Sequence, residues 1–485
     1  MNAQKMQTSG NSGTLNKYLF IFTHEVGDLE FYPTYSRLVR SQWKPYADLK
    51  AEQEKQLRNI IYYSYYNIPY YHRLFDSLGL KPEAIRTLED LQKLPILTKS
   101  VIRENWEDFK PLHLNGMKYQ EETTGGSTGT PFKYRITSHD RFLSGAILYR
   151  GWGYGGYELG DKTIFLAGTS LGVGTKPYLV KRFHEIARNL RKLSSFDMDD
   201  KGMRQFVNVM NTFKPKFLRG YASSIYFFAR WLEENDLKIH QPLSVFTTSE
   251  KLYPQMREKI GKVFGCDVYD GYGLNDSGVT AFECPEHKGM HIDTERSIAE
   301  IVDEQGRQLA HGEGRIVGTS LHNYAMPFIR YDTGDIGHLL EEECPCGRGY
   351  KLLKEICGRS GDLLITPEGK AINSLFFATI FDEIMSVREY QIVQEKLDRI
   401  VVRISTSRDF DQKQLQNIVQ LIKARSQGWN IEFDIVDRIE KTRAGKYKYV
   451  INKVMNEQAL GKIACFPVLM SWMLDASSLG LPGIL

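Results

Sequence analysis

Between residues 160 and 273, short apolar runs alternate with helical segments, and this alternation constrains the fold more than any other feature. The apolar runs are 163-TIFLAG-168, 216-KFLRGY-221, 243-LSVFTTS-249 and 266-CDVYDGYG-273. The segments 223-SSIYFFARWLEEND-236 and 254-PQMREKIGKVFG-265, which lie among these runs, have helical spacing of their apolar residues. Strands that alternate with helices favour a parallel or mixed sheet covered by helices. The pattern therefore predicts a large α/β domain.

The chain on either side of this region differs in character. The stretch 51-AEQEKQLRNIIYYSYYNIPYYHRLFDSLG-79 is helical in spacing and is interrupted at Pro69, whereas residues 296–340 consist of short β-like pieces separated by turns. After 358-GRSGD-362, two strand-like runs and the amphipathic segment 411-DQKQLQNIVQLIKARS-426 predict a small α+β domain. We therefore predict a large domain over residues 1–360, a small one over 361–460 and an apolar tail over 461–485.

Composition excludes several classes of protein. In 485 residues, 42% are hydrophobic, 25% are charged and the net charge is +4, which suits a soluble protein and gives no case for nucleic acid or an anionic membrane as a partner. The polar start of the chain has no apolar signal-peptide core, and the apolar stretch 463-IACFPVLMSWML-474 is too short to span a bilayer. Six cysteines in a chain of this length favour a reducing compartment. We expect a cytoplasmic protein without a transmembrane span.

The stretch 121-EETTGGSTGTPFKYR-135 combines glycines with hydroxyl side chains and predicts a loop. Backbone N–H groups and hydroxyls in such a loop suit phosphate oxygens, although loops of this composition are also common without a ligand. The GxxxxGK[ST] pattern does not occur in the sequence, which excludes a P-loop.

Four further motifs follow the loop. They are 269-YDGYGLNDSG-278, 330-RYDTGDIG-337, 358-GRSGD-362 and 442-TRAGK-446. Each motif alone is compatible with an ordinary turn. Together they supply phosphate donors, carboxylates for magnesium and ribose, and two cations, which is what ATP-dependent activation of a carboxylate requires.

The order and spacing of these five motifs resemble the adenylate-forming superfamily of acyl-CoA synthetases, and more narrowly the phenylacetate–CoA ligase family with its capsule-biosynthesis branch. The resemblance runs from about residue 50 to about residue 455 and includes 68-IPYYHRLFD-76, 94-LPILTKSVIREN-105 and 219-RGYASSIYFFA-229. It implies a large ATP- and acyl-binding α/β domain with a β-rich subdomain, followed by a small mobile α+β domain.

The resemblance also implies a role for each matching position. The loop residues Thr124, Gly125, Gly126, Ser127, Thr128, Gly129 and Thr130 would hold the β- and γ-phosphates of ATP. Ser249 and Glu250 would lie along adenine, Tyr272 and Gly273 would contact the base, and Asp335 would bind the ribose hydroxyls. Asp276 would bind magnesium, Arg359 would contact ribose or phosphates, and Lys446 would bridge the substrate carboxylate and the α-phosphate. Lys441 and Lys448 lie near Lys446 but do not follow the T-x-x-G-K pattern.

Two positions depart from the family pattern. The family's YGxTE or YGxSE is here Tyr272-Gly-Leu-Asn-Asp276, so the carboxylate is one methylene shorter and an amide replaces a hydroxyl. The hinge after Arg359 is Ser360-Gly361, where relatives often have Asp or Lys. Magnesium accepts Asp as a ligand, and glycine permits a domain rotation, so both departures are compatible with the family's reaction.

The stretches 284-CPEHKGMH-291 and 344-CPCG-347 contain three of the six cysteines. Thiolates and an imidazole in two such clusters suit a closed zinc site, and some members of the resembled family carry structural zinc near this point. The expected ligands are Cys284, Cys344 and Cys346 with either His291 or His287 as the fourth; the competing interpretation is a loop-rich region with reduced cysteines and no metal.

The resulting hypothesis is a two-step ligase in which a carboxylic acid and ATP form an acyl-adenylate and the acyl group then passes to an acceptor, with coenzyme A (CoA) expected. The stretches 149-YRGWGYGGY-157 and 165-FLAGTSLGVG-174 are the expected acyl pocket. A second hypothesis replaces CoA with a sugar, an amine or a carrier protein as the acceptor. Outside these ligase hypotheses, the chain could be a non-catalytic zinc-containing interaction protein or a protein that binds ATP without turnover. The sequence leaves a homodimer open.

Overall fold

The structure is a computed structural model that describes residues 12–26, 29–124, 132–168, 178–359, 364–372, 374–382, 384, 386–407, 409–442 and 444–454. Contacts divide the chain into two compact units. The larger unit comprises Met1–Cys357 together with Lys441–Tyr447, and the smaller unit comprises Gly358–Glu440 together with Lys448–Leu485. The segment that contains Lys446 thus groups with the larger unit, although its neighbours in sequence belong to the smaller one.

The described helices up to residue 359 include ten α-helices. They are α1 (Ser12–Glu25), α2 (Phe31–Ser41), α3 (Tyr46–Asn67), α4 (Pro69–Ser77), α5 (Lys99–Glu104), α6 (Ser138–Gly153), α7 (Tyr178–Ala187), α8 (Asp200–Phe213), α9 (Ala222–Glu234) and α10 (Pro254–Phe264). The predicted interruption at Pro69 is confirmed, because α3 ends at Asn67 and Pro69 opens α4, where its fixed φ and missing N–H are tolerated.

Fourteen described strands fall in the same part of the chain. They are β1 (Tyr119–Thr123), β2 (Lys133–Thr137), β3 (Thr163–Ala167), β4 (Leu190–Ser194), β5 (Phe217–Tyr221), β6 (Ser244–Thr248), β7 (Asp267–Tyr269), β8 (Gly271–Gly273), β9 (Thr280–Glu283), β10 (Met290–Ile292), β11 (Ser297–Val302), β12 (Gly312–Ser320), β13 (Tyr331–Leu339) and β14 (Leu352–Arg359). The four apolar runs that predicted the α/β domain are confirmed as β3, β5, β6 and β7–β8.

Five of these strands form a parallel sheet in the order β4-β3-β5-β6-β7. The chain leaves β3 for the edge strand β4 and then returns past β3 to β5, so the strand order reverses between β3 and β5. In open parallel sheets, ligands bind outside the carboxyl ends of the strands at this reversal. The topology therefore predicts a ligand site at the carboxyl ends of β3 and β5.

Helices cover both faces of the parallel sheet. On one face, Trp152 of α6 stacks on Phe246 of β6 with ring centroids 5.9 Å apart. On the other, α9 packs on the sheet and Phe228 links it to Phe206 of α8 and Phe264 of α10. Because helices bury both faces of the sheet, the strand sequences are continuous apolar runs and do not alternate with polar residues.

A seven-stranded antiparallel sheet in the order β11-β12-β13-β14-β10-β9-β8 forms the β-rich part of the larger unit. The hairpin β1–β2 stands apart from it as a two-stranded sheet, with Thr123 paired to Lys133 at its tip. The predicted β-rich subdomain over residues 296–340 corresponds to β11, β12 and β13.

The smaller unit is an α+β domain. Its described elements are β15 (Leu364–Ile365), β16 (Ala371–Ile372), α11 (Ser374–Asp382), β17 (Val387–Lys396), β18 (Arg399–Thr406), α12 (Gln412–Arg425), β19 (Asn430–Ile435) and β20 (Val450–Asn452). A four-stranded sheet in the order β19-β18-β17-β20 is its centre. Asp411 caps α12 by accepting from Gln414 N at 2.9 Å, which explains where the predicted helix begins.

Among the described residues, no helix combines the length and the apolar character needed to cross a membrane. The predicted apolar tail, residues 461–485, lies outside the described residues.

Candidate functional site

The segment that carries Lys446 is a tight turn whose geometry explains the T-x-x-G-K pattern. Thr442 N donates to Lys446 O at 2.9 Å, and Lys446 N donates to Thr442 Oγ1 at 3.1 Å. Gly445 has φ +77°, which is accessible to glycine at little cost. The threonine therefore closes the turn, the glycine permits it, and the lysine follows in a fixed backbone position.

This turn lies over the carboxyl ends of β3 and β5, at the reversal of strand order. Tyr221, the last residue of β5, donates from its hydroxyl to Ala444 O at 2.9 Å. Gly168 follows β3, and a Cβ atom at Gly168 would lie 2.1 Å from Ala444 O, so only glycine allows this approach. The topology and the T-x-x-G-K motif thus converge on the same edge of the sheet.

Ser195, which follows β4, fixes the turn from a third side. Its hydroxyl donates to Gly445 O at 3.0 Å, and the Lys441 ammonium donates to Ser195 O. Ser195 lies in none of the sequence motifs, because its strand β4, 190-LRKLS-194, has too few apolar residues to be recognised. Recognition of β4 as the edge strand would have pointed to the residue after it.

Glu250 joins the turn to the end of β6. One carboxylate oxygen accepts from Tyr447 N at 2.7 Å, and the other accepts from Ser223 N at the start of α9 at 3.0 Å. Burial raises the pKa of Glu250 above its usual range, while the hydrogen bonds from Ser223 and Tyr447 and the charge of Lys446 act in the opposite direction. Glu250 thus contacts the lysine segment; its role beside adenine stays a prediction. Its neighbour Ser249 has φ +68°, a backbone conformation that is uncommon for serine.

Tyr272 and Asp335, which are 63 positions apart in sequence, lie together in the structure. The Tyr272 hydroxyl donates to Asp335 Oδ2 at 2.9 Å, and Asp335 N donates to Thr333 Oγ1 at 3.1 Å. Asp335 is buried, so its carboxylate is held in a fixed orientation. Two residues expected around one nucleoside are therefore neighbours.

Asp276 lies beside the base of the glycine-rich loop. Tyr331 donates from its hydroxyl to Asp276 Oδ2 at 3.0 Å, and Ser277 N donates to Oδ1 at 3.0 Å. The Tyr331 ring stacks on Phe132 at 6.0 Å, and Phe132 O accepts from Thr124 N at 2.9 Å, which closes the base of the loop. The structure thus connects the first residue of the loop to the candidate magnesium ligand.

Several predicted positions lie outside the described residues. They are Gly125, Gly126, Ser127, Thr128, Gly129 and Thr130 in the loop and Ser360-Gly361 at the hinge. Arg359 is the last residue of β14, and its side chain lies outside the described part of the chain. The roles of these residues stay predictions.

Cys284, His291, Cys344 and Cys346 form a cluster whose ligand atoms all lie within 4.8 Å of one another. Cys284 Sγ is 3.6 Å from Cys344 Sγ, and Cys346 Sγ is 3.4 Å from His291 Nε2. Tetrahedral zinc with Zn–S bonds of about 2.3 Å would separate neighbouring ligand atoms by about 3.7 Å, so the observed spacings fit the ion.

The geometry distinguishes the two candidate histidines. Burial, with the charges of Arg348 and Arg150, lowers the pKa of His291 to about 4, which keeps its imidazole neutral. His287 Nδ1 instead lies 3.3 Å from both Arg257 Nη1 and Glu283 Oε1, and the cluster of ligand atoms does not include His287. His291 is therefore the histidine of the cluster.

Known proteins resemble this chain both in sequence and in fold. The family model described as CapK C-terminal domain matches residues 364–453. Protein CapK of Staphylococcus aureus is 26% identical over 84% of this chain and 90% of its own length. The phenylacetate–coenzyme A ligase of Thermus thermophilus is 27% identical over 76% of this chain and 83% of its own length.

Among solved structures, a 2-hydroxyisobutyryl-CoA ligase matches with a TM-score of 0.69 over 87% of this chain and 93% of that protein, at 20% identity. This match establishes the shared fold. In sequence the chain is therefore similar to CapK and to the phenylacetate–CoA ligases, and in fold it is similar to a solved CoA ligase.

Proposed function

We propose that this chain uses ATP to activate a carboxylic acid and then transfers the acyl group to the thiol of CoA. In the first reaction, a carboxylate oxygen attacks the α-phosphorus, a new P–O bond forms, and the bond to the β-phosphate breaks to release pyrophosphate. In the second, the CoA sulfur attacks the acyl carbonyl carbon, the C–O bond to AMP breaks, and the thiol proton passes to solvent. AMP, pyrophosphate and an acyl-CoA are the products.

The placement of the Lys446 turn at the carboxyl ends of β3 and β5 is the observation that carries this proposal. A lysine ammonium at this position would stabilise negative charge on the attacking carboxylate and the α-phosphate, which is the main requirement of phosphoryl and adenylyl transfer. Relatives named as phenylacetate–CoA ligases support the same reaction and the same acceptor.

The remaining site residues would hold the nucleotide. In this proposal, Asp335 accepts hydrogen bonds from the ribose hydroxyls, Tyr272 packs on the base, and Ser249 lies along adenine. The loop from Thr124 to Thr130 donates to the β- and γ-phosphates, and Arg359 contacts ribose or phosphate. The hydrogen bond from Tyr272 to Asp335 supports a common nucleoside site.

Asp276 fits a magnesium ion. Each of its carboxylate oxygens accepts one hydrogen bond from the protein, which leaves a second lone pair on each oxygen for a metal. Magnesium would supply charge neutralisation at the phosphates, while Tyr331 and the Ser277 N–H orient the carboxylate.

We also propose that the four-residue cluster of Cys284, His291, Cys344 and Cys346 binds structural zinc. Thiolates and a neutral imidazole are the ligands zinc prefers, and closed four-ligand sites stabilise folds. Purified protein should contain one zinc per chain by elemental mass spectrometry, and Cys346→Ser should lower both the zinc content and the midpoint of thermal unfolding. Cys266→Ser, at a cysteine outside the cluster, is the matched control. Full-length wild-type protein that contains no zinc and has the same midpoint of thermal unfolding as Cys346→Ser would contradict the proposal.

A second candidate function keeps the activation and changes the acceptor. The match of residues 364–453 to the CapK C-terminal domain favours it, because the smaller unit then resembles that of a protein not named as a CoA ligase. A sugar, an amine or a carrier protein would replace CoA as the nucleophile. In either case we propose that the smaller unit rotates about Ser360-Gly361 between the two reactions.

A panel of carboxylic acids tests the proposal. Each acid is incubated with the full-length protein, ATP and magnesium, with and without CoA, while pyrophosphate is measured and products are identified by mass. Acid-dependent pyrophosphate release with an acyl-CoA product is expected. Acid-dependent release without a thioester would favour the second candidate function, and no release with any acid would favour a binding protein instead. Light scattering of the same samples decides whether the protein is a homodimer.

A further inference from the structure

Arg219, in the middle of β5, differs from every other buried arginine that the structure describes. Arg135, Arg150, Arg296 and Arg330 are buried and each lies within 4.0 Å of a carboxylate: Glu121, Asp293, Asp140 and Glu300 respectively. Arg219 is only 7% exposed, yet its guanidinium makes no ion pair and no hydrogen bond with any described residue. The chain therefore buries one guanidinium without the partner that it provides to the others.

Leaving this cation unpaired is unfavourable for the folded protein. Burial lowers the pKa of Arg219 to about 10, which reports how strongly the site disfavours the charge. The guanidinium lies over the rings of Trp152 at 4.6 Å and Phe165 at 5.3 Å, and such contacts offset only part of the lost hydration. Buried polar groups that lack a partner in the protein are candidates for binding a ligand.

The residues around Arg219 are those expected to form the acyl pocket. Trp152 belongs to the stretch 149-YRGWGYGGY-157 and Phe165 to 165-FLAGTSLGVG-174, and Tyr149 of the first stretch also interacts electrostatically with Arg219. An arginine among these aromatic residues is therefore placed to contact the acyl part of a substrate.

The position of Arg219 on β5 gives its distance from the lysine turn. Arg219 lies two residues before Tyr221, and alternate residues of a strand share a face. The Tyr221 hydroxyl holds Ala444 O, two residues before Lys446. Two residues of strand span about 7 Å, so Arg219 lies roughly that far below the edge at which the reacting carboxylate would sit.

We infer that Arg219 binds a second carboxylate at the far end of the acid substrate, so that this protein prefers dicarboxylic acids to monocarboxylic ones. The inference rests on the proposed function, because it concerns the end of the acid substrate that lies away from the reacting carboxylate. A carboxylate would accept two parallel N–H bonds from the guanidinium and neutralise its charge. A monocarboxylic acid would leave the guanidinium as unpaired as it is in the free protein.

Two matched pairs of acids test the assignment. The pair 1,4-phenylenediacetate and phenylacetate differs by one carboxymethyl group, and the dicarboxylate is symmetric, so either end can react. Adipate and hexanoate form the corresponding aliphatic pair. Pyrophosphate release gives kcat/KM for each acid, and calorimetry of the acids with the full-length protein gives their binding independently of turnover.

Wild-type protein should favour the dicarboxylate of at least one pair by about tenfold or more, the size expected for a buried charged hydrogen bond. Arg219→Leu should abolish this preference, mainly through KM, and should raise the midpoint of thermal unfolding because an unpaired buried charge is removed. Arg219→Lys should retain part of the preference. Arg191→Leu is the matched control, since this arginine of β4 lies over Phe213 near the opposite end of the sheet.

Equal use and equal binding of both members of each pair by the wild type would overturn the inference. A preference that survives in Arg219→Leu would overturn it as well, and would leave Arg219 a packing residue. Failure of the proposed function gives a different result, namely no pyrophosphate from any acid. Calorimetry then still decides whether Arg219 binds the second carboxylate.

Discussion

At the residue scale, Glu250 has the contacts of a positioning residue for the lysine turn. It joins Tyr447 N to Ser223 N, because one of its carboxylate oxygens accepts from each of these backbone groups. The turn therefore depends on one buried carboxylate for its attachment to α9.

Replacing Glu250 tests this attachment. Glu250→Gln keeps the shape but replaces one accepting oxygen with an NH2 group that cannot accept from Tyr447 N or Ser223 N, and we expect pyrophosphate release to slow by roughly tenfold or more. Transfer from a synthetic acyl-adenylate to CoA should change little, because that reaction does not need the turn in place. Glu258→Gln, an exposed glutamate of α10, is the control. Equal losses in both reactions would instead favour the predicted contact with adenine, which both reactions contain.

The sequence predicted some residues of the site and missed others. Tyr272, Asp335, Asp276 and Lys446 stand in motifs whose turn chemistry is legible in sequence, and the structure brings Tyr272 to Asp335 as expected. Ser195 stands in no motif, and Arg219 stands only in the apolar run 216-KFLRGY-221 and in the stretch 219-RGYASSIYFFA-229, neither of which predicted a site residue. Their importance comes from which strand lies beside which, and strand order is set by packing across the whole sheet rather than by local spacing.

At the scale of elements, the approach of the lysine turn to β3 depends on Gly168. A Cβ at this position would lie 2.1 Å from Ala444 O, a backbone atom that cannot move aside without moving the turn. Gly168→Ala should therefore slow pyrophosphate release by at least about tenfold while CoA transfer from the synthetic adenylate continues. Gly145→Ala in α6, where a Cβ meets nothing within 4 Å, should leave both rates within about twofold. Unchanged pyrophosphate release in Gly168→Ala would show that the turn does not act where the structure places it.

Helix α1 gives the molecule a pH-dependent element. His24 is buried between Phe20 and Phe31, with its Nε2 3.2 Å from the Tyr149 hydroxyl. Burial, with the charge of Arg188, lowers the pKa of His24 to about 3. As the pH falls, His24 of the unfolded chain is protonated near its ordinary pKa of about 6.5, whereas His24 of the folded protein is protonated only near pH 3.

The stabilisation from His24 is therefore present above about pH 6.5 and is lost as the pH falls towards 3, by up to about 1.4 kcal/mol per pH unit. His24→Phe, which preserves the ring stack, should reduce the fall in stability between pH 7 and pH 5. Urea unfolding at the two pH values measures the difference. Parallel losses in wild type and variant would mean that other groups dominate.

Strand and helix boundaries followed from sequence where the apolar pattern was strong. The runs at β3, β5 and β6 were predicted because both faces of these strands are buried, and Pro69 marked the start of α4. The edge strand β4 was not predicted, because its partly exposed residues include Arg191 and Lys192. Edge strands commonly carry such charges, which hides them from an apolar pattern.

At the scale of the whole molecule, the central claim is that one residue far along the chain completes a site built by the parallel sheet. Lys446 lies more than 220 residues after β5 in sequence, yet its segment groups with the larger unit. The order of the five motifs predicted that these parts converge. Sequence alone did not predict that the turn would be held by Tyr221, Ser195 and Glu250.

The comparison of Lys446→Ala with Lys448→Ala tests this claim most directly, with pyrophosphate release and CoA transfer from a synthetic acyl-adenylate measured separately. We expect Lys446→Ala to lower acid-dependent pyrophosphate release by at least about a hundredfold, because a charge that stabilises the transition state is removed. The same variant should retain CoA transfer, and Lys448→Ala should retain both reactions. Pyrophosphate release that is unchanged in Lys446→Ala would contradict the account.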